Sequence, residues 1–224
     1  MKVGLVGDSL TEGRPGVSFS KILQKQYPHL TFDNLGKPGE TVRSLHDRLI
    51  KTPIDSDYDL IFLWIGVNDV YSKLLKVQAQ PVSRDLEEFK DVFQKVVEVV
   101  LHSSKQVVTV SPALAGENLN SKPTNDLEVL TEAIQLISSN YPQVEFLDLQ
   151  SVFREHLKKV TSSDYLNTKV MRVMIDALFY KDPIRIDRLS NKRGLHYTLD
   201  GIHLNSRGAA LVAEEYARLI GAGL

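Results

Sequence analysis

The stretch LVGDSLTEG, residues 5–13, joins an apolar run to a Gly-Asp-Ser turn near the start of the chain. The apolar residues are typical of a buried strand, and Gly7 permits a tight turn after it. In an open α/β sheet, residues that directly follow the first strand commonly face the ligand-binding crevice. This places Ser9 at the mouth of a site. A helix cap is an equally good interpretation, because Ser and Asp are favoured at helix N-termini.

The composition is that of an ordinary globular protein. The 224 residues are 42% hydrophobic and 25% charged, which permits one large domain with a substantial core. The formal net charge is −1 and there is no cysteine, which excludes disulfides, thiolate catalysis and Cys-ligated zinc. No apolar run reaches the ~18 uncharged residues that cross a bilayer. We therefore expect no nucleic-acid partner and no stable membrane insertion.

The N-terminus predicts a cytoplasmic location. Its apolar run, residues 3–6, is too short for a secretory signal and is followed two residues later by the acidic Asp8. A secreted protein that has lost its signal would show the same sequence, and the lack of cysteine leaves the redox compartment undetermined.

Short apolar runs alternate along the chain with longer amphipathic segments. The predicted buried strands are KVGLV (2–6), LTFDNL (30–35), YDLIFLWIG (58–66), QVVTVSP (106–112) and VEFLDL (144–149). Helical spacing marks residues 83–103, 125–141 and 205–221. Asn205 is the predicted N-cap of the last helix, and Gly221 is predicted just past its end. This alternation predicts a three-layer, doubly wound α/β fold with a mostly parallel, five-stranded sheet.

The glycine turn after the first strand does not match three known motifs. A P-loop needs Lys and then Ser or Thr after its second glycine, whereas Arg14 and Pro15 follow Gly13. The segment GLVGDS (4–9) lacks the three spaced glycines of a dinucleotide fingerprint, and the chain has no G-x-S-x-G nucleophile elbow. Ser9 must therefore be judged by its partners.

A serine nucleophile needs a base and a carboxylate that orients the base. His203 lies three residues after Asp200 in LDGIHLNSRG (199–208). One loop can present both side chains, so that the carboxylate accepts from Nδ1 and Nε2 is left for the serine. A D-x-x-H spacing is common by chance, so this pair alone is a weak signal. Surface or core positions suit the other histidines better, namely His29, His46, His102, His156 and His196.

Two further loops follow predicted strands. Asn68 in WIGVNDV (64–70) comes after the third strand, so its amide is expected near Ser9, where it can donate to an oxyanion. It can equally be a turn residue, as Asn often is. In NLGKPGET (34–41) the Gly39 amide can enter the site, or the segment is only a Gly/Pro turn before a helix.

Jointly and in this order, these motifs resemble those of the SGNH hydrolases, the GDSL family of esterases and lipases. Ser9 in GDSL matches the block I serine, Gly39 in PGET the block II glycine, and Asn68 in GVND the block III asparagine. Asp200 and His203 in DGIH match the block V pair. The resemblance extends over almost the whole chain.

The resemblance, which spans residues 7–208, implies a single domain over 1–224 with the flavodoxin-like SGNH hydrolase fold. It implies a serine esterase that acts on a small-molecule carboxylic ester through an acyl-enzyme intermediate. In that mechanism Ser9 attacks the carbonyl, His203 takes and returns the proton, and Asp200 holds the imidazole. No metal or cofactor is required.

The same resemblance implies an oxyanion hole made of the Ser9 amide, the Gly39 amide and the Asn68 side chain. Gly36 also follows the second strand and is the alternative to Gly39. Gly39 is preferred because the family usually places Thr two residues after the glycine, as Thr41 is here.

Residues 155–198 are a predicted helical or loop insertion, longer than one crossover helix needs. From Arg154 to Arg193 there are ten Lys or Arg and five Asp or Glu. One hypothesis is a lid that lines an acyl pocket and whose cations favour an anionic substrate or a lipid surface. The alternative is an amphipathic helix packed on the core with a solvated basic face. The proposed lid residues are Val170, Met171, Val173, Met174, Leu178, Phe179 and Tyr180.

Three other functions compete with general ester hydrolysis. A carbohydrate O-acetylesterase uses the same machinery on acetyl groups. Acyl transfer to an alcohol other than water uses the same residues and differs only in the access of water. A non-catalytic α/β ligand-binding module is the alternative outside enzymes, although a binding role would not need all five matched residues. The pocket rather than the fold decides among substrates.

Overall fold

The computed structural model describes residues 1–55, 57–75 and 80–222. A five-stranded sheet lies at its centre, with strand order β2-β1-β3-β4-β5 and every neighbouring pair parallel. This confirms the predicted doubly wound α/β fold. The strands are β1 (Lys2–Gly7), β2 (Thr31–Gly36), β3 (Tyr58–Trp64), β4 (Ser104–Val110) and β5 (Val144–Leu147).

Helices cover both faces of the sheet. They are α1 (Ser9–Glu12), α2 (Phe19–Gln26), α3 (Val42–Lys51), α4 (Val67–Tyr71), α5 (Leu86–Leu101), α6 (Lys122–Ser138), α7 (Leu149–Leu157), α8 (Val170–Phe179), α9 (Pro183–Lys192) and α10 (Ser206–Ala222), with a 3-10 turn at Ser72–Leu74. Helices α2 and α10 pack together, and α3 packs on α5, which in turn contacts α6.

Three strands stop two residues earlier than the sequence predicts. The prediction for β3 included Gly66, which instead precedes α4 with φ 121°, a conformation that leaves the strand. The prediction for β5 included Asp148, whose side chain caps α7 by accepting from the Ser151 amide. After β3 and β5, the residue that precedes the next helix therefore ends the strand, whereas β4 leads into a loop.

The core follows from strand and helix patterning. Strand β3 is buried on both faces, as a central strand of a parallel sheet should be. Tyr216 of α10 stacks on Phe62 with ring centroids 4.0 Å apart, and Phe19 of α2 meets it edge-on. The apolar stripe of α5 faces the core with Phe89, Phe93, Val96, Val97 and Val100 buried.

The last helix begins as predicted and ends later. The Asn205 side chain accepts from the Gly208 amide at 3.0 Å, which confirms Asn205 as the N-cap. Helix α10 extends to Ala222, so the prediction that Gly221 lies past its end is wrong. Helical backbone hydrogen bonding continues through this glycine, since a glycine weakens a helix without ending it.

The sheet order creates a switch point beside β1. The chain leaves β1 for β2 on one side and then crosses to β3 on the other, so β1 lies between β2 and β3. Gly7 is paired with Gly36 and with Trp64. The loops after these three strands therefore start side by side, where open α/β sheets bind ligands.

Close packing makes Gly7 a sensitive position. A Cβ there would collide with the Trp64 carbonyl oxygen and the Thr11 hydroxyl. We expect Gly7→Ala to lower the free energy of unfolding by about 2 kcal/mol, the scale of overpacking in a rigid core. Urea denaturation measures this change.

Gly221→Ala is the matched control for this prediction. No atom lies within 4 Å of a Cβ at Gly221, and alanine is the better helix former by up to about 1 kcal/mol. Equal denaturation midpoints for the two variants would contradict the packing argument.

Candidate active site

The fold brings together the three residues predicted to form a catalytic triad. Ser9 Oγ lies 3.0 Å from His203 Nε2. His203 Nδ1 lies 2.8 Å from Asp200 Oδ2. All three residues are buried. The geometry is that of a serine whose proton can pass to an imidazole held by a carboxylate.

The start of α1 decides between the two interpretations of Ser9. Asp8 is the N-cap of this helix, and its Oδ1 accepts from the Leu10 amide at 2.9 Å. The Ser9 hydroxyl is therefore not needed as a cap and faces the imidazole of His203. The cap interpretation is wrong for Ser9 and right for the residue before it.

A tight turn holds the Asp200 carboxylate and the His203 imidazole in a fixed relative orientation. Asp200 Oδ1 accepts from the amides of Ile202 at 3.1 Å and His203 at 2.9 Å, which leaves Oδ2 free for the imidazole. Gly201 in this turn has φ 94°, and its missing side chain lets the turn pack against Leu166. The D-x-x-H spacing thus fixes the orientation of the carboxylate.

The charges of the pair support each other. Burial alone would raise the pKa of Asp200, but His203 and the hydrogen bonds to the carboxylate hold that pKa below its usual range. Burial alone would lower the pKa of His203, but Asp200, and more weakly Asp8 and Asp176, raise it above the usual value. Asp200 therefore stays ionised, and His203 is a stronger base than a free imidazole.

The loop after β2 has open space beside Gly39 and none beside Gly36. Gly39 has φ 74°, and a Cβ built on it meets no atom within 4 Å, so a ligand has room beside it. The Gly36 amide is already bound to Asn34 Oδ1 at 3.1 Å, and a Cβ at Gly36 would collide with backbone. Of the two glycines, Gly39 therefore fits a ligand-facing role.

Asn68 lies between the loops that follow β1 and β2. Its Nδ2 donates to the Glu40 carbonyl at 2.9 Å and to Asp8 Oδ2 at 3.2 Å. Asn68 is buried within α4, so it is not the exposed turn residue of the alternative interpretation. The prediction that its amide lies at the carboxyl edge beside the Ser9 loop agrees with this position.

Two buried carboxyl groups flank Asn68. Asp69 Oδ2 accepts from the Val42 amide at 3.0 Å, which ties α4 to the start of α3. Burial raises the pKa of Asp69 to about 7 and that of Asp8 to about 7. The site therefore holds less negative charge near neutral pH than its sequence suggests.

An ion pair missed by sequence reasoning holds the Gly39 loop. Arg48 of α3 binds both carboxylate oxygens of Glu40 at 2.6 and 2.7 Å and also donates to the Leu35 carbonyl at 3.1 Å. The Thr41 side chain caps α3, and Ser44 completes the capping box. Threonine is a favoured N-cap residue and so a recognisable sequence signal, whereas the pairing of Glu40 with Arg48 has none.

Glu117 is a second residue that sequence reasoning missed. This buried carboxylate accepts from the amides of His196, Tyr197 and Thr198, each at 2.8 Å. The Thr198 hydroxyl donates to it at 2.8 Å and the Ser162 hydroxyl at 2.9 Å. Glu117 thus fixes the segment that leads into Asp200. Because Glu117 is distant from this segment in the sequence, no sequence pattern predicts the contact.

The segment predicted as a lid does not enclose an acyl pocket. Met171, Leu178 and Phe179 are exposed, so the prediction that they line such a pocket is wrong. The physical reason is that Asp176 holds the inward face of α8 through a buried ion pair with Arg193 at 2.9 Å. Side chains of two other predicted lid residues, Val170 and Met174, lie outside the described residues. That 155–198 is an insertion stays a prediction.

The described residues show neither a metal-binding cluster nor a helix that could span a membrane. Within 1–55, 57–75 and 80–222, no group of three or more His, Cys, Asp or Glu residues could hold a metal ion. None of the described helices is long and apolar enough to cross a membrane.

The family model of the GDSL-like lipase/acylhydrolase family matches residues 5–211. The chain belongs to this family. The resemblance inferred from the sequence motifs is thereby confirmed, and the protein is a GDSL-type hydrolase of carboxylic esters, with small-molecule esters as its substrates.

Solved structures share the fold over nearly the whole chain. Axe2, an acetylxylan esterase from Geobacillus stearothermophilus, is 21% identical with a TM-score of 0.68, and the match covers 98% of this chain and 94% of that one. AlAXEase, an acetyl xylan esterase, is 19% identical with a TM-score of 0.65 over 98% and 100% of the chains. LAE5, an α/β hydrolase from the metagenome of Lake Arreo, Spain, is 18% identical with a TM-score of 0.68 over 98% and 94%. No curated protein matches the sequence.

The contacts of Glu117 make it a positioning residue for the triad. Glu117→Gln keeps one acceptor oxygen and puts an NH₂ group against amides that need an acceptor. We expect kcat to fall between about 10- and 100-fold with KM little changed, because the Asp200 turn shifts while the substrate site stays. Steady-state kinetics on p-nitrophenyl acetate measure the changes in kcat and KM separately.

Ser162→Ala is the control, since it removes one donor and leaves the Glu117 carboxylate in place. A Glu117→Gln protein with a lower melting temperature but unchanged kcat would show that Glu117 serves stability alone.

The base in this site must be neutral to accept a proton. Because the pKa of His203 is raised, we expect kcat/KM to rise with pH through an apparent pKa above the ordinary histidine value of about 6.5. Asp8→Asn keeps an acceptor for the Leu10 amide and removes one charge that raises the pKa of His203, so the rising limb should move to lower pH. A pH–rate profile measures both.

Asp91→Asn, which replaces an exposed acid on α5, is the control and should leave the limb in place. An identical limb in Asp8→Asn and in the unmodified protein would contradict the role given to Asp8.

Proposed function

We propose that Ser9 is the nucleophile, His203 the general base and acid, and Asp200 the orienting carboxylate of this esterase. The observation that carries the proposal is the continuous chain of hydrogen bonds at 3.0 and 2.8 Å through the imidazole. Its members come from opposite ends of the sequence. This supports the further proposal that 1–224 form one hydrolase domain.

The proposed reaction has two halves. Ser9 Oγ attacks the ester carbonyl while its proton passes to His203 Nε2, and Asp200 stabilises the imidazolium that forms. The tetrahedral intermediate collapses, and the imidazolium protonates the departing alcohol. Water then gives a proton to His203 and attacks the acyl-enzyme. As this second tetrahedral intermediate collapses, the imidazolium returns the proton to Ser9 Oγ, which releases the acid and regenerates the free serine.

The proposed oxyanion hole comprises the amides of Ser9 and Gly39 and the side chain of Asn68. Asn68 Nδ2 has two acceptors, and the bond to Asp8 Oδ2 is the longer at 3.2 Å. The ester oxygen would replace Asp8 as the acceptor, while the Glu40 carbonyl keeps the amide in place. Since burial raises the pKa of Asp8 to about 7, its carboxyl repels an oxyanion less than an ordinary aspartate would.

A short acyl group, with acetyl as the first candidate, is the proposed substrate feature. The support is that the exposed apolar residues of α8 do not provide a wall for a long chain. Two structures that share the fold are named acetylxylan esterases. We therefore propose an acetylated carbohydrate as the specific substrate class within small-molecule esters.

Hydrolysis of a p-nitrophenyl ester series from acetyl to palmitoyl tests the proposal. We expect the highest kcat/KM with acetyl and a steep fall as the chain lengthens. Ser9→Ala should lower kcat by about 10⁴-fold or more, as expected for loss of a triad nucleophile. Ser18→Ala is the matched control, because the Ser18 hydroxyl bonds only to Ser20 among the described residues.

Acetylated xylo-oligosaccharide provides the second arm of this experiment. Release of acetate that Ser9→Ala abolishes and Ser18→Ala retains would support the carbohydrate substrate. Equal rates on acetyl and palmitoyl esters would contradict the short-acyl proposal. Retained turnover in folded Ser9→Ala would contradict the role of the serine itself.

A further inference from the structure

Helix α8 turns an apolar face to solvent. Met171, Ile175 and Leu178 follow one another at helical spacing and are 70%, 47% and 64% exposed. Phe179, at the end of the helix, is 69% exposed, and Ile184 at the start of α9 is 62% exposed. We name these five side chains the α8–α9 surface. Most other exposed large hydrophobic residues stand singly, which is normal, whereas a cluster marks an interaction site.

Among the α8 side chains that the structure describes, Asp176 is the buried one, whereas Met171, Ile175 and Leu178 are exposed. Asp176 points inward to Arg193, and Arg193 Nη1 also donates to the Leu199 carbonyl at 2.8 Å. Rotating α8 to bury its apolar face would break this pair and leave a charge unpaired in the interior. The apolar face is therefore held outward by the structure, and only an external partner can remove it from water.

The same two helices and their flanks carry exposed cations, of which Lys169 and Arg172 line one cavity with Met171 and Ile175. The exposed cations of α8, α9 and their flanks are Lys169, Arg172, Lys181, Arg185, Arg188 and Lys192. Within the described ranges, none of the six forms a salt bridge. The acidic residues of α8, α9 and their connection bond to other groups instead. Asp176 pairs with Arg193, Asp182 caps α9 and the Asp187 side chain accepts from the Ser206 amide.

These charges distinguish between partners. A second copy of the chain, docked symmetrically through the same surface, would bring the two sets of cations together at a cost in repulsion. An anionic lipid bilayer instead offers phosphates to the cations and acyl chains to the apolar residues. A cavity of about 320 Å³ beside the surface combines both features, with Met171, Ile175 and Leu189 lining it together with Lys169 and Arg172.

We propose that the α8–α9 surface docks the protein on an anionic phospholipid bilayer. The ten residues of α8 make a rod of about 15 Å, which lies in the membrane surface rather than crossing it. Its apolar side chains enter the boundary between headgroups and acyl chains, and the surrounding Lys and Arg side chains contact lipid phosphates. The proposal concerns binding alone and stands independently of the substrate of the esterase.

Vesicle flotation of the full chain tests this proposal. We expect the protein to float with vesicles of equimolar phosphatidylglycerol and phosphatidylcholine, less at high salt, and not with phosphatidylcholine alone. Leu178→Ser/Phe179→Ser should weaken the partition constant by about tenfold or more. Arg185→Gln/Arg188→Gln should weaken it by about tenfold.

Leu136→Ser is the matched control, because Leu136 on α6 is 63% exposed and lies outside the surface. All variants change exposed side chains, and circular dichroism checks that they are folded. Three outcomes overturn the proposal: no flotation of the unmodified protein, equal flotation with both vesicle types, or equal loss in Leu136→Ser. A dimer that dissociates in Leu178→Ser/Phe179→Ser, with no vesicle binding, would assign the surface to a second copy instead.

Discussion

The parallel pairing of β1 with both β2 and β3 is the constraint on which the site depends. Because all three strands point the same way, their carboxyl ends meet at one edge, and Gly7 is paired with both Gly36 and Trp64. This pairing brings the loops that carry Ser9, Gly39 and Asn68 to the same edge, where Asn68 bonds to Asp8 and Glu40, the sequence neighbours of the other two. Close packing at Gly7 leaves no room for a side chain, so the edge is rigid where the reactive serine begins its helix.

Buried polar groups fix the loops around the site, because each such group needs hydrogen-bond partners in the interior. Asp8 caps the helix that carries Ser9, Glu40 is bound twice by Arg48, and Glu117 collects five hydrogen bonds from the segments around it. None of these groups reacts with substrate in the proposed mechanism. Each fixes the backbone of a loop that presents a reactive group, so catalytic geometry rests on satisfied carboxylates behind the site.

In the region between β5 and the Asp200 turn, one buried ion pair overrides what the apolar spacing of α8 predicts about its orientation. Met, Val, Leu and Phe at helical spacing in α8 suggest a face packed inward. Asp176 is buried instead and pairs with Arg193, whereas Met171, Leu178 and Phe179 are exposed. The pair also links α8 to the Leu199 carbonyl, next to Asp200. A surface feature and the catalytic turn are thus built on the same buried contact.

The sequence by itself determined the fold class, the five strands, the N-cap at Asn205 and the residues of the candidate triad, because these depend on local periodicity, capping and short spacings such as that of Asp200 and His203. Tertiary structure alone decided the strand order, the contact of the Ser9 hydroxyl with His203, the anchoring of the Asp200 segment by Glu117, and the outward position of Met171, Ile175 and Leu178 on α8. Those features depend on contacts between residues distant in the chain, such as Glu117 with Thr198 and Asp176 with Arg193, and on the demand that a buried charge be paired. No local pattern encodes such contacts, so they exist only once the chain has folded.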